Sequence, residues 1–119
     1  MSKSAKPPIS VHILDTSRGR PATGVPITLY KEENGTWHTV GNGQTNADGR
    51  CETFLTREQF SSGTFKIHYA VEDYFMKNSG FSFYPYIEVV FKIDNAGNDQ
   101  NYHIPLLLNP FGYSTYRGS

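Results

Sequence analysis

The four histidines are the side chains of this 119-residue chain best suited to proton transfer near neutral pH, where imidazole titrates. Two of them, His12 and His103, stand in apolar runs, Val-His-Ile-Leu and Tyr-His-Ile-Pro-Leu-Leu-Leu. A histidine in an apolar strand is either a satisfied structural residue or part of a functional pocket, and both interpretations remain open. His38 and His68 lie among polar residues, and we interpret them as surface side chains.

Two further residue types bear on the chemistry. Cys51, the one cysteine, follows Arg50, whose charge would favour a reactive thiolate, but an inert buried thiol is the more common state of a free cysteine. One cysteine excludes an internal disulfide. Two histidines without a third ligand nearby are a weak indication of zinc, and we predict no metal site.

The C-terminal residues Tyr113–Ser119 are dense in hydrogen-bonding groups and follow a hydrophobic run. Arg117 is suited to binding a carboxylate or an enolate-like oxygen. Chain ends are also commonly solvated tails, which is the alternative interpretation of this segment.

Charge and composition limit the partners. Eleven basic residues balance eleven acidic ones, so the chain has no broad field for nucleic acid or for an anionic membrane. It has no run of 18 apolar residues that would span a bilayer. The polar first eight residues resemble neither a secretory signal nor a folded element. We expect a flexible arm at 1–8, one domain at 9–119, and a cytoplasmic protein, with the peroxisome as the alternative.

Alternation of apolar and polar residues predicts the elements that hold these side chains. It is clearest at Ile9–Asp15 and Thr64–Val71. The other predicted strands are Pro26–Lys31, Trp37–Val40, Arg50–Leu55, Tyr86–Ile93, Tyr102–Leu108 and Tyr113–Ser119. About eight short strands indicate an all-β, two-sheet antiparallel β-sandwich.

The segments between the strands contain a turn signal and two candidate helices, and one strand contains a proline. Asn34-Gly35 is a strong hairpin signal. Glu72–Asn78 is the better of two candidate short helices, the other being Thr56–Phe60. Pro105 inside a strand suggests a sheet edge or a bulge at that point. In this arrangement His12 and His103 could face the same sheet surface.

Taken together, several stretches of the chain resemble the transthyretin-like family and, within it, the 5-hydroxyisourate hydrolases. They are Val11–Asp15 with Arg18-Gly19-Arg20-Pro21, Thr45–Arg50, Phe83–Phe91, and His103–Ser119 with its terminal Tyr-Arg-Gly-Ser. The resemblance covers nearly everything from Ile9 onward. Val11 and Asn109 depart from the family's frequent threonine and serine, and neither has a proposed chemical role.

The resemblance implies an eight-stranded sandwich with one short helix, assembled as a homotetramer with active sites where two dimers meet. It implies hydrolysis of 5-hydroxyisourate to 2-oxo-4-hydroxy-4-carboxy-5-ureidoimidazoline in urate breakdown, without a cofactor. The main alternative is a carrier of small ligands in the central channel, as in transthyretin. A purely structural β-sandwich module is a third possibility.

The family's site residues can be carried over one by one. The resemblance implies catalytic roles for His12, Arg50 and His103. The residues it implies for substrate binding are His12, Arg50, Ser114, Tyr116, Arg117 and Ser119, with Gly118 completing the terminal tetrapeptide. Which histidine activates water is left open.

Overall fold

The strands of the chain form two sheets whose apolar faces pack against each other. The computed structural model describes residues 7–52, 55–94 and 100–118. The strands are β1 (Ile9–Asp15), β2 (Arg20–Pro21), β3 (Pro26–Glu33), β4 (Thr36–Gln44), β5 (Arg50–Cys51), β6 (Gly63–Tyr69), β7 (Ile87–Ile93), β8 (Tyr102–Asn109) and β9 (Gly112–Thr115). The helix α1 spans Glu72–Asn78, as predicted, and Arg57–Gln59 forms one 3-10 turn. Most of the predicted arm, residues 1–6, lies outside the described residues.

The first sheet has the order β2-β1-β8-β9, with β5 pairing β1 on the same side as β2. The second sheet has the order β4-β3-β6-β7. The predicted β-sandwich is confirmed, but β1 and β8 pair in parallel, whereas the other pairs are antiparallel. No short turn joins β1 to β8, so packing rather than a hairpin sets their relative direction.

The core lies between the two sheets and follows the alternation seen in the sequence. In β1 the residues Ile9, Val11 and Ile13 are buried, and the intervening side chains are half-buried on the opposite face. In β6 the residues facing the core are Phe65, Ile67 and Tyr69. Because one face of each strand is apolar, the other is free to carry polar groups, and in β1 and β8 that face carries the histidines.

The turn predicted at Asn34-Gly35 is confirmed. Both residues have positive φ, 53° and 82°, as a two-residue hairpin turn of this twist requires. The returning strand β4 is longer than predicted and pairs with β3 as far as Gln44. The stretch Gly41–Gln44 contains no apolar residue, so alternation could not reveal it as a strand.

The inference drawn from Pro105 was wrong. β8 lies between β1 and β9, and its register with β9 is the same at Leu106↔Thr115 as at the bridge His103↔Gly118. The even-numbered residues of β8 direct their backbone groups toward β1, because Tyr102 N–H donates to Pro8 and the Leu108 carbonyl accepts from Thr16. Pro105 therefore faces β9, where its missing N–H interrupts the ladder without shifting it.

The strands predicted at Arg50–Leu55 and Tyr113–Ser119 also differ in their ends from the prediction. β5 is described only over Arg50–Cys51, and Thr53 and Phe54 lie outside the described residues. β9 ends at Thr115 rather than continuing to the terminus, because Pro105 opposite cannot donate to it. None of the helices in the described part is long and apolar enough to span a lipid bilayer.

Candidate active site

His12 and His103 lie side by side on the outer face of the first sheet, the face turned away from the second sheet. In the parallel register of β1 and β8, Ser10 is opposite His103 and His12 is opposite Pro105. The two imidazole centroids are 6.3 Å apart, and both rings are half-buried. This separation allows both rings to contact one small planar molecule.

Arg50 joins the histidines from the other side of β1, where it is the direct antiparallel partner of His12. The preceding Gly49 has φ +75°, and its carbonyl accepts the Ile13 N–H at 2.8 Å. A Cβ at Gly49 would come within 2.5 Å of the Ile13 carbonyl oxygen. Gly49 is therefore needed at this turn because only glycine lets the chain approach β1 closely enough to pair Arg50 with His12.

The turn before Arg50 is fixed by a side chain as well. The Asn46 amide oxygen accepts the backbone N–H groups of Asp48 at 2.9 Å and of Arg50 at 3.0 Å. Asparagine is favoured at such positions because its short side chain can substitute for a backbone acceptor. The exposed guanidinium of Arg50 thus projects from a rigid support.

The electrostatics of this face favour a neutral His103. Burial lowers the pKa of its imidazole, the charge of Arg50 and the neighbouring His12 lower it further, and the charge of Glu52 opposes them. A histidine that stays neutral at physiological pH can accept or donate a proton, which are the two roles that acid–base catalysis requires.

His103 is contacted from two sides. Its Nδ1 lies 2.8 Å from Ser10 Oγ. On the other side, Gly118 N–H donates to the His103 carbonyl at 2.7 Å, and a Cβ added to Gly118 would lie 3.0 Å from His103 Cδ2. The C-terminal tail therefore approaches the ring so closely that a larger residue than glycine would displace something.

The structure separates the other residues of the predicted site. Ser114 is opposite Leu107 in the register of β8 and β9, which places it on the histidine face. The Arg117 guanidinium lies instead over the Tyr102 ring, 4.7 Å from its centroid, and donates to Gln100 at 3.0 Å. Ser119 lies outside the described residues.

Tyr116 and Arg117 border a groove along the side of the sandwich at which β9 is the edge strand of the first sheet and β7 that of the second. The groove has a volume of about 480 Å³ and is lined in part by Phe91, Tyr102 and Ile104. Tyr116 is 60% exposed there. Arg117 thus lies on the groove side, apart from the histidines, Arg50 and Ser114 on the outer face. Tyr116 borders the groove, and the register between Leu106↔Thr115 and His103↔Gly118 gives it the same alternation as Ser114.

The cysteine and the other two histidines lie away from this site. Cys51 is 4% exposed, so the buried interpretation is confirmed. His38 is exposed beside Glu33, and His68 is hydrogen-bonded to Glu88 on the outer face of the second sheet. Within residues 7–52, 55–94 and 100–118, no three His, Cys, Asp or Glu side chains are grouped as metal ligands.

Sequence reasoning missed Ser10 and Glu52. Ser10 lies two residues before His12, so strand periodicity places both on one face, and this spacing was the available signal. Its contact with His103 depends on the pairing of β1 with β8, which spacing does not give. Glu52 lies two residues after Arg50 and affects His103 through its charge.

Fold and site together define a transthyretin-type β-sandwich that carries a histidine–arginine–histidine cluster on one outer face. The model of the HIUase/Transthyretin family matches residues 9–118, and the chain belongs to this family.

Individual proteins show the same relationship. The chain is 43% identical to the 5-hydroxyisourate hydrolase of Mus musculus, over 94% of this chain and 95% of the mouse protein. It is 40% identical to 5-hydroxyisourate hydrolase 2 of Rhizobium meliloti over the full length of both. Sea bream transthyretin, crystallised in complex with thyroxine, superposes with a TM-score of 0.88 at 29% identity, covering 93% of this chain and 94% of that one.

Proposed function

We propose that this protein hydrolyses 5-hydroxyisourate, the product of urate oxidation, to 2-oxo-4-hydroxy-4-carboxy-5-ureidoimidazoline, and so acts as a cyclic amide hydrolase in urate degradation. The observation that carries the proposal is the cluster of His12, Arg50 and His103 on one sheet face. Its relatives in mouse and Rhizobium bear the name of this activity.

The reaction opens a ring amide with water. The water oxygen adds to the ring carbonyl carbon, and the carbon–nitrogen bond of that amide then breaks. One proton of the water goes to the leaving nitrogen, and the other leaves the new carboxylic acid as it ionises. The step therefore needs a proton acceptor, a proton donor and a positive group near the carbonyl oxygen.

The cluster offers these three groups. One histidine takes the proton from water, and the other holds the substrate or returns a proton to the leaving nitrogen. Arg50 stabilises the oxyanion by charge-assisted hydrogen bonds. The hydroxyl of Ser114, on the same face, orients the planar ring, and we assign Tyr116, Arg117 and Ser119 to substrate binding as well.

We also propose a homotetramer, a dimer of dimers, with the histidine face at the dimer–dimer interface. The half-buried Leu14 and Leu107 flank the site on this face and would be covered by such an interface. The central channel would then be lined by the proposed active sites. The alternative function, carriage of a small ligand in that channel, has the likeness to thyroxine-bound transthyretin in its favour.

The test is a coupled ultraviolet assay in which urate oxidase generates 5-hydroxyisourate and its decay is followed. We expect this protein to accelerate the decay well beyond the spontaneous rate measured without it. In His103→Ala the acceleration should fall at least tenfold, as loss of an acid–base group commonly costs about 10²–10⁴ in rate. His38→Ala is the matched control, because it removes an exposed histidine far from the cluster in the fold.

Each outcome has a clear meaning. Decay at the spontaneous rate with wild-type tetramer would refute the hydrolase and favour the carrier, which binding of thyroxine would then test. Equal activity of His103→Ala and His38→Ala would leave a hydrolase whose chemistry lies elsewhere on the molecule.

A further inference from the structure

The imidazole of His103 has its two lateral edges in contact with different parts of the chain. Nδ1 faces Ser10 of β1 at 2.8 Å. Cδ2, on the other edge, faces the Cα of Gly118 so closely that one added methyl group would lie 3.0 Å away. The ring atoms that remain, Cε1 and Nε2, point away from both contacts.

We propose that Ser10 and Gly118 are positioning residues that clamp the His103 ring between β1 and the C-terminal tail, so that one tautomer is held and Nε2 is presented to the substrate. The presentation of Nε2 to a substrate rests on the proposed function, whereas the clamp itself is a property of the free protein. Neither residue contacts the reacting atoms in this arrangement.

The hydroxyl is what gives Ser10 this role. A neutral imidazole carries its proton on one nitrogen only, and the hydrogen bond made by the other edge decides which. If Nδ1–H donates to Ser10, Nε2 is a proton acceptor, and if the Ser10 hydroxyl donates to Nδ1, Nε2–H is a proton donor. Each orientation of the Ser10 hydroxyl is therefore matched to one tautomer, and the tautomer that is observed tells whether Nε2 of His103 accepts or donates a proton.

Gly118 contributes shape rather than a hydrogen bond to the ring. Its N–H anchors the tail to the His103 carbonyl at 2.7 Å, although the strand has already ended at Thr115. A Cβ added to Gly118 would also lie 3.2 Å from Pro105 Cγ. A side chain at this position would therefore have to displace the His103 ring or Pro105, because the tail passes close to the edge of the ring.

Other groups near His103 affect its charge but not its orientation. Arg50 and His12 disfavour its protonated form, and Glu52 favours it. A spectroscopic measurement of the tautomer separates the two effects, because a charge change shifts the pH of titration whereas loss of the Ser10 bond mixes the tautomers of the neutral form.

The decisive experiment is ¹⁵N NMR of the histidine side chains in the full-length protein at a pH where His103 is neutral, with no substrate present. We expect one strongly favoured tautomer in wild type and in Ser10→Thr, and averaged nitrogen shifts in Ser10→Ala. Averaged shifts in wild type, or a favoured tautomer unchanged in Ser10→Ala, would overturn the proposal.

Activity then provides a second readout. We expect Ser10→Ala to lower kcat about tenfold with KM nearly unchanged, and Ser10→Thr to restore most of it. Thr28→Ala is the matched control, because Thr28 holds the same position opposite His68 on the second sheet that Ser10 holds opposite His103. A Ser10→Ala enzyme with wild-type kcat and mixed tautomers would show that the clamp has no catalytic effect.

The contribution of Gly118 can be tested with a control glycine in the same C-terminal segment. Gly118→Ala should perturb the His103 ring signals and lower kcat, whereas Gly112→Ala should do neither, because a Cβ at Gly112 would meet no atom within 4 Å. Unchanged His103 signals in Gly118→Ala would remove Gly118 from the clamp. If wild type proves inactive, the hydrolase proposal fails while the NMR result still decides the clamp.

Discussion

The two outer faces of the sandwich each carry a histidine next to a cationic residue, yet they have opposite chemical characters. On the second sheet, His68 Nδ1 lies 2.8 Å from Glu88 Oε2, and Lys66 Nζ lies 3.6 Å from Glu88 Oε1. Tyr86 stacks on the His68 ring at 4.7 Å. On the first sheet, His12 and His103 share their face with Arg50, for which no ion pair is seen within the described residues.

The difference lies in whether a carboxylate completes the cluster. The hydrogen bond from His68 lowers the pKa of Glu88, with the charge of Lys66 adding to it against the effect of burial. On that face the carboxylate of Glu88 is therefore already paired with His68 and Lys66. On the first sheet the pKa of His103 is lowered by burial and by the charge of Arg50, so the face offers an uncharged imidazole beside a cationic guanidinium. Such a face is suited to bind an oxygen-rich ligand.

The largest expected effect comes from removing the cation on the first face. Arg50→Gln should lower kcat/KM for 5-hydroxyisourate by about 10²-fold, in line with the loss of one oxyanion-stabilising group. Lys66→Gln removes a cation from the other face and should stay within about twofold of wild type in the same coupled assay. Equal losses in both variants would mean that the two faces do not differ in function.

A second expected effect concerns the pH dependence of activity. Because the pKa of His103 lies below its ordinary 6.5, wild type should keep its activity as the pH falls through 6.5. Arg50→Gln removes one of the charges that lower this pKa, so the acid limb of its kcat profile should move to higher pH. An acid limb at the same pH in both proteins would exclude Arg50 as a cause of the shift.

A smaller effect is expected on the second face. Glu88→Gln breaks the ion pairs to His68 and Lys66 and should lower the free energy of unfolding by about 0.5–1 kcal/mol, the usual value of partly exposed ion pairs. Its kcat should equal that of wild type. Denaturant unfolding followed by the one tryptophan, Trp37, measures the first quantity, and a loss of activity in this variant would contradict the division between the faces.

The smallest effect is the pH window of that stabilisation. Because the folded state holds the pKa of Glu88 below its ordinary 4.5, the unfolded chain binds the proton first, and the contribution is lost as the pH falls below about 4.5. The difference in Tm between wild type and Glu88→Gln should therefore be full near pH 6 and decrease toward pH 3. A difference that is constant over this range would show that the ion pairs are not its source.

Elements with strong alternation or strong turn chemistry were predictable. β1, α1 and the Asn34-Gly35 turn were all anticipated from local sequence, because each depends on residues close together in the chain. β2 was not, since two residues in a polar loop carry no periodicity and pair only because β1 lies beside them. The same holds for the Gly-rich end of β4.

The candidate site was predictable in its residues and less so in its arrangement. The odd placement of His12 and His103 in apolar strands marked them from the sequence, and the family resemblance supplied Arg50. The position of Arg117 over Tyr102 could not be foreseen, because its tail leaves the sheet only where Pro105 removes a ladder hydrogen bond.

The sequence by itself determined which face of each strand is apolar, where the tight turns fall, and that histidines stand on polar faces of apolar strands. These properties follow from local sterics and from the two-residue period of a strand. The tertiary structure alone decided that β1 pairs with β8 in parallel, which brings Ser10 to His103 and leaves 6.3 Å between two rings 91 residues apart. Non-local pairing is selected by the packing of the whole core, and no short stretch of sequence contains that information.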